Sequence, residues 1–286
     1  LLSDLLGVPP AQVPIVIPGQ QDQIINGALY DYESRQVDIE FQQLLQLNNR
    51  DRAVWGVGYR KDMINGVGSL KKYSWLDMET YRIYGSAEYH LTDQILLNVG
   101  TIFEDSSMSK GRFSPRVGVN FTVVDGHILR FSIAQSWRQP FLAEYSHDNR
   151  FLLSDGSVLE QLQATPDKLE HEKLLSYEIG YVGYWENARV SVEVKAYREE
   201  FKNEVEYVFD PFYPEAVSIL NPGAIFDVDG GATDITGIET GIKWQLGGQS
   251  LLWLSYSFSE VDQHCQDMSF RCAHKNDATP RHTASL

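Results

Sequence analysis

Two cysteines in 286 residues, Cys265 and Cys272, are too few for a domain held by a disulfide framework. No stretch approaches the ~18 to 20 consecutive apolar residues that a spanning helix needs. Helical membrane bundles are therefore excluded. A transmembrane β-barrel is not, because its strands alternate lipid-facing and interior residues and average to a soluble-looking composition. Positive charge is scarce: 24 Lys and Arg stand against 39 Asp and Glu, a formal net charge of −15, which argues against nucleic acid as a partner. Catalytic signatures are missing as well. His171-Glu172 opens like H-E-x-x-H, but Leu175 stands where the second metal ligand is needed. No G-x-S-x-G occurs, and neither Gly56-Val57-Gly58 nor Gly66-Val67-Gly68 continues into a nucleotide fingerprint. The opening Leu1-Leu2-Ser3-Asp4 has no basic region followed by an apolar one, so the expectation is a removed leader or an internal piece of a longer chain.

What the sequence does have is alternation with a period of two, the mark of strands with unlike faces. Val37, Ile39, Phe41, Leu45 and Leu47 face one way, and Asp38, Glu40, Gln42 and Gln46 the other. Similar runs follow at 53–62, 81–90, 95–100, 116–123, 129–134, 176–181, 189–196, 238–244 and 252–258. That makes ten strands, with Thr283 to Leu286 as an eleventh. None of the eleven prolines interrupts a run, as a sheet requires. Short connections near residues 48–52, 92–94, 124–126, 186–187 and 247–249 alternate with longer ones at about 64–80, 104–114, 138–173, 210–236 and 260–281. Short turns on one rim and long loops on the other describe an outer-membrane barrel. Runs of about ten residues at a tilt of about 40° match an apolar band about 25 Å tall. Trp55, Tyr81, Trp137, Tyr177, Trp185 and Trp244 gather near strand ends, where amphipathic rings suit a membrane interface. A soluble β-sandwich also alternates over such lengths.

Particular residues add to the periodicity. Ser114-Pro115-Arg116-Val117-Gly118-Val119-Asn120, then Leu129-Arg130-Phe131-Ser132, then the stretch from Ser136 to Glu144 that includes Arg138 and Pro140, resemble the barrel of TonB-dependent outer-membrane receptors. Leu169 to Tyr181 resembles that family's P-E-K-x-x-S-Y-E-x-G strand, with His171 in place of the proline. Gly237-Ile238-Glu239 and Thr279-Pro280-Arg281-His282 resemble two further strand approaches. The resemblance runs through 114–286, agrees more loosely over 35–104, and treats 1–34 as an extracellular loop.

The resemblance implies an all-β, antiparallel transmembrane barrel of about 22 strands around a plug. About half of those strands are present here, within one barrel domain spanning 1–286, and the plug is absent. It further implies a receptor in the outer membrane of a Gram-negative bacterium that imports a scarce ligand, most often an iron-siderophore complex, with energy from TonB. The expected partners are that ligand, TonB through an N-terminal region outside this sequence, the plug and outer-membrane lipid. Neither a cofactor nor catalysis is expected. A soluble β-rich binding module and an outer-membrane hydrolase are the competing readings.

The long loops would meet the ligand. Tyr73, Trp75, Tyr145, Phe212 and Tyr213 can stack on a chelate or ring, and Arg138, with Lys71, Lys72 and Arg150, can meet an anion. The bland reading is that they pack loops or face water. Charges of alternating sign, Arg60, Arg82, Glu88, Arg116, Arg130, Glu178, Glu193, Lys195, Glu239 and Lys243, fit ladders lining the lumen and gripping a plug. Asp227, Asp229 and Asp234 lie in a glycine-bearing stretch that suits Ca²⁺, but without the EF-hand spacing, so an ordinary loop is expected and no metal. His264, Cys265, Cys272 and His274 admit a soft-metal cluster; a Cys265–Cys272 disulfide is the favoured expectation in an exported loop.

Overall fold

The computed structural model describes residues 32–66, 69–70, 74–152, 158–165, 168–210, 223–248, 250–266, 269 and 280–285. Strands β1 (Glu33–Gln46), β2 (Arg52–Asn65), β3 (Leu76–His90), β4 (Ile95–Ser106), β5 (Arg112–Val124) and β6 (His127–Arg138) follow one another. A short helix, α1 (Leu142–Ser146), and the strands β7 (Asp148–Leu152) and β8 (Val158–Ala164) come next. The chain continues through β9 (Glu172–Trp185), β10 (Val190–Asp210), β11 (Ala224–Gly247), β12 (Ser250–His264) and β13 (His282–Ser285). All thirteen strands belong to one sheet, whose path runs β1 to β6 and then β9 to β13, with the β7–β8 pair off it. The sheet is open: β1 and β13 are its ends.

Every neighbouring pair on that path is antiparallel, and the register keeps like faces together. Phe41 lies opposite Val57, Val57 opposite Ile83, and Ile83 opposite Phe103. Farther along, Phe131, Ile179, Ala196, Ile238 and Phe258 form one row across β6, β9, β10, β11 and β12. These residues cover no core. Ile39, at 65%, and Phe41, at 56%, are widely exposed. A continuous exposed apolar face of this extent needs a hydrocarbon partner. No helix among the described residues is long and apolar enough to cross a membrane.

The connections differ from expectation on the outer side. The stretch expected as a loop over 138–173 contains α1, β7 and β8 instead of being loop throughout. β3 starts at Leu76, and only residues 107–111 separate β4 from β5. The loop expected over 210–236 is mostly ribbon, because β10 runs to Asp210 and β11 begins at Ala224. Two cues mask this ribbon. Its glycine pair, Gly230-Gly231, lies within β11, with Gly230 at φ 134°, and Asn203 adopts φ 56° where the β10–β11 register shifts around Glu204. Bulges of this kind use residues that resemble turns.

Buried apolar side chains gather at the outer end. Leu142 and Tyr145 of α1 pack with Met78, Leu169 and Val205, and Ala164 packs with Ala224 and Phe226. This second layer covers one end of the wall.

Candidate ligand site

Lumen-facing charge begins with the pairs that the strand register creates. Arg82 reaches across β2 to Asp38 at 2.7 Å and Glu40 at 2.9 Å on β1. It crosses at Gly58, where a Cβ would stand 2.4 Å from the Arg82 Nε; the missing side chain is what allows the crossing. Arg52 meets Glu88 at 2.6 Å, Lys195 meets Glu239 at 2.7 Å, and Arg130 lies 3.6 Å from Glu193. The alternating charges thus form cross-strand ladders on one face. On the opposite rim, in the β1–β2 turn, the Asp51 carboxylate accepts the backbone N–H of His90 at 2.8 Å and the Asn48 side-chain amide at 2.6 Å. These bonds, the backbone one first, lower its pKa to about 2.

At the outer end the lumen face becomes a cavity of about 630 Å³ beneath α1. Arg60, Asp62, Arg82, Glu104 and Arg138 line it, and Phe141 and Leu142 border it from the cap. Gln36 donates to Asp62 at 2.9 Å, and Arg60 pairs with the same carboxylate at 2.8 Å. The arrangement is a concave site with convergent polar groups and an apolar border, suited to a charged ligand of modest size.

Arg138 holds the cap. Its Nε and Nη2 each donate to Glu172 at 2.5 Å, and its Nη1 and Nη2 donate to Glu144 at 3.1 and 3.4 Å. Glu144 also accepts the Phe141 backbone N–H at 2.7 Å, and Glu172 accepts that of Val205 at 2.9 Å. One guanidinium therefore joins the end of β6, α1, β9 and the β10 ribbon. The hydrogen bonds to Glu172 are the main reason its pKa rises above the ordinary arginine value. A second lock is buried. His147 Nδ1 bonds Asp227, Gln163 donates to Asp227 at 2.7 Å, and Thr165 donates to the Glu144 carbonyl at 2.5 Å. β8 also pairs in parallel with β11 at Gln163 and Ala164.

Among the residues expected to contact ligand, Arg138 lines the cavity with its charge shared between two carboxylates. Tyr145 is buried in the cap cluster at 7% exposure. Trp75 stands at the start of β3 with the Arg35 guanidinium 4.5 Å over its ring. Tyr73, Phe212 and Tyr213 lie outside the described residues, as do Lys71 and Lys72. Arg150 pairs with Asp148 at 2.6 Å. Asp227 is engaged by His147, Gln163 and Thr165. Asp229 accepts the Glu170 N–H at 2.7 Å, and burial raises its pKa. Cys265 is disulfide-bonded; Cys272, the other cysteine in the sequence, is outside the described residues. Sequence reasoning passed over His147, and it met Glu144, Glu172 and Asp227 only as the end of a family-like stretch, part of an incomplete H-E-x-x-H pattern and a weighed Ca²⁺ ligand. The Arg138 to Glu144 spacing carries a local signal. His147 and Asp227 stand 80 positions apart and carry none.

An apolar outer face, a charge-laddered inner face and an inward-folded cap define the wall of a membrane-spanning β-barrel of receptor type. The chain belongs to the TonB-dependent receptor-like β-barrel family, whose model matches residues 12–286. No curated protein matches it. Its fold is similar to solved structures at low identity. The siderophore receptor PirA of Pseudomonas aeruginosa has a TM-score of 0.58 at 14% identity, over 85% of this chain and 52% of that one. A mutant of the ferric enterobactin receptor PfeA from the same organism scores 0.63 at 12%, over 80% and 36%. The FrpB iron transporter of Neisseria meningitidis scores 0.59 at 14%, over 85% and 36%. The chain thus spans about half or less of the length of these structures.

Proposed function

We propose that this chain is part of an outer-membrane receptor that captures an anionic iron-siderophore complex, or a chelate of similar chemistry, for import with TonB-supplied energy past a plug. The carrying observation is the cavity under α1. Arg60 and Arg82 meet there beside Asp62 and Glu104, with Arg138 clasped between Glu144 and Glu172 at the rim, so a charged chelate can exchange with the ion pairs that Arg60 and Arg82 make within the wall. The aromatic residues expected from the sequence, Tyr73, Trp75, Phe212 and Tyr213, are the candidate stacking partners of such a chelate, and Arg138 sets the shape of the cap. The names of the similar solved structures support an iron cargo.

Strains with and without the gene, grown on single ferric siderophores of known charge as the sole iron source, test the reading. Growth on at least one anionic ferric chelate should require the gene. Equal growth on every anionic, neutral and cationic chelate would reject it.

A further inference from the structure

Six charged side chains line the cavity under α1, and five of them are already paired. Arg60 holds Asp62 at 2.8 Å, and Arg35 holds Glu33 at 2.6 Å. Arg82 and Arg138 are each matched twice, by Asp38 with Glu40 and by Glu144 with Glu172. The sixth is Glu104, near the outer end of β4. Among the described residues it has neither an ion pair nor a hydrogen bond.

The register would lead one to expect otherwise. Glu104 stands between Arg82 on β3 and Arg112 on β5, and opposite charges placed side by side across strands ordinarily pair. Both arginines turn away from it. Arg82 passes over the bare Gly58 to reach β1. Arg112 lies over the Trp137 ring, 5.0 Å from its centre, and meets Glu170 at 3.3 Å. The Nε of each is buried without a hydrogen-bond partner, so neither atom donates to the carboxylate between them.

A carboxylate on the wall of a concave site is at ease while water fills the cavity. Once a ligand displaces that water, the carboxylate is left desolvated unless the ligand brings it a partner. No arginine of the cavity can serve without giving up a carboxylate of its own. A ligand with positive charge at this point is therefore favoured, and one with a neutral group there is penalised.

We infer that Glu104 receives a cationic group of the ligand, a protonated amine or a guanidinium, so that the cargo is a ferric chelate with an anionic core and a positively charged arm. The core exchanges with the Arg60–Asp62 pair, and the arm docks on Glu104. The inference rests on the chelate reading above and narrows it.

The test uses the full-length gene product, purified in mild detergent, and follows quenching of its tryptophan fluorescence by ferric chelates. The probes are catecholate and carboxylate ferric chelates, each prepared with a free terminal amine and with that amine acetylated. Wild type should bind the amine form of at least one pair about tenfold more tightly than the acetylated form. E104Q keeps the shape of the side chain and removes its charge. It should bind the amine form about tenfold more weakly and the acetylated form as before, so the preference disappears. E104K should reverse the preference. E193Q, which alters a lumen carboxylate paired with Arg130 outside the cavity, should preserve it. Heat-modifiable migration of each variant shows that its barrel has formed. Equal affinity within every pair that binds, tighter binding of the acetylated forms, or a preference that survives E104Q would overturn the inference and leave the chelate reading standing. A plug side chain that neutralises Glu104 in place of the ligand would give the first of these results. Absence of binding by every chelate, amine and acetylated alike, would instead overturn the chelate reading, and this inference with it.

Discussion

Arg138 shows how little of a residue's role is contained in its type. As a cation on an outer loop it reads as an anion receptor, whereas in the fold its guanidinium lies between Glu144 and Glu172. R138A would leave two carboxylates facing each other with no cation between them. Because the side chain keeps about a third of its exposure, the full cost of breaking a buried pair is discounted to about 1–2 kcal/mol of cap stability. Hydrogen exchange over residues 140–165 should quicken by about tenfold, with the wall unchanged. R138K retains the charge but loses the planar fork, so it should recover only part of the protection.

His171 gives the cap a pH dependence. Burial, then the nearby Arg112 charge, holds its pKa below the usual 6.5. The unfolded segment therefore binds a proton more readily than the folded one. The stabilising contribution is complete above pH 6.5 and declines as the pH falls toward the folded value. Limited proteolysis of the loops should be faster at pH 5 than at pH 7.5, and H171Q should flatten that difference.

At the scale of elements, the wall strands were legible and the cap was not. β1 alternates Val37, Ile39, Phe41 with Asp38, Glu40 because one side meets lipid and the other water, and a period of two survives any loop sequence. No lipid face marks β7 and β8. Their placement comes from β8 lying parallel to β11 and from the His147–Asp227 contact, both too distant in sequence to leave a pattern. The upper half of β11 reads as a turn because Asp229-Gly230-Gly231 has turn chemistry, yet the backbone of the long β10–β11 ribbon pairs through it. For the site, Arg138 was legible as part of a motif; its conversion from ligand contact to clasp follows from Glu172, which only the fold brings near. D227A removes the acceptor of the buried lock and should cost about 2 kcal/mol locally. It should speed exchange in β8 without lowering the melting temperature of the barrel.

Across the whole molecule the two faces of one sheet obey different rules. Ile133 is outward, between Val117 and Tyr177, and Ser132 is inward, between Gly118 and Glu178. I133R should cost about 2–4 kcal/mol in a bilayer near the midplane, and S132R far less. Urea unfolding of the full-length gene product in lipid vesicles can compare the two. The Cys265–Cys272 bridge is tested separately: no alkylation of either cysteine before reduction and two after, by mass spectrometry, is the expected result, and a free thiol before reduction rejects the pairing.

The β10–β11 ribbon leaves the bilayer with its strand pairing continuous apart from two adjacent register shifts on either side of Glu204, so it stands above the wall as a stiff mast. Val205 on that mast is tied to Glu172, and Glu172 to Arg138. A tug at the masthead therefore reaches the lid of the lumen through two bonds, and whatever grips the top of the molecule from outside has a lever on its gateway.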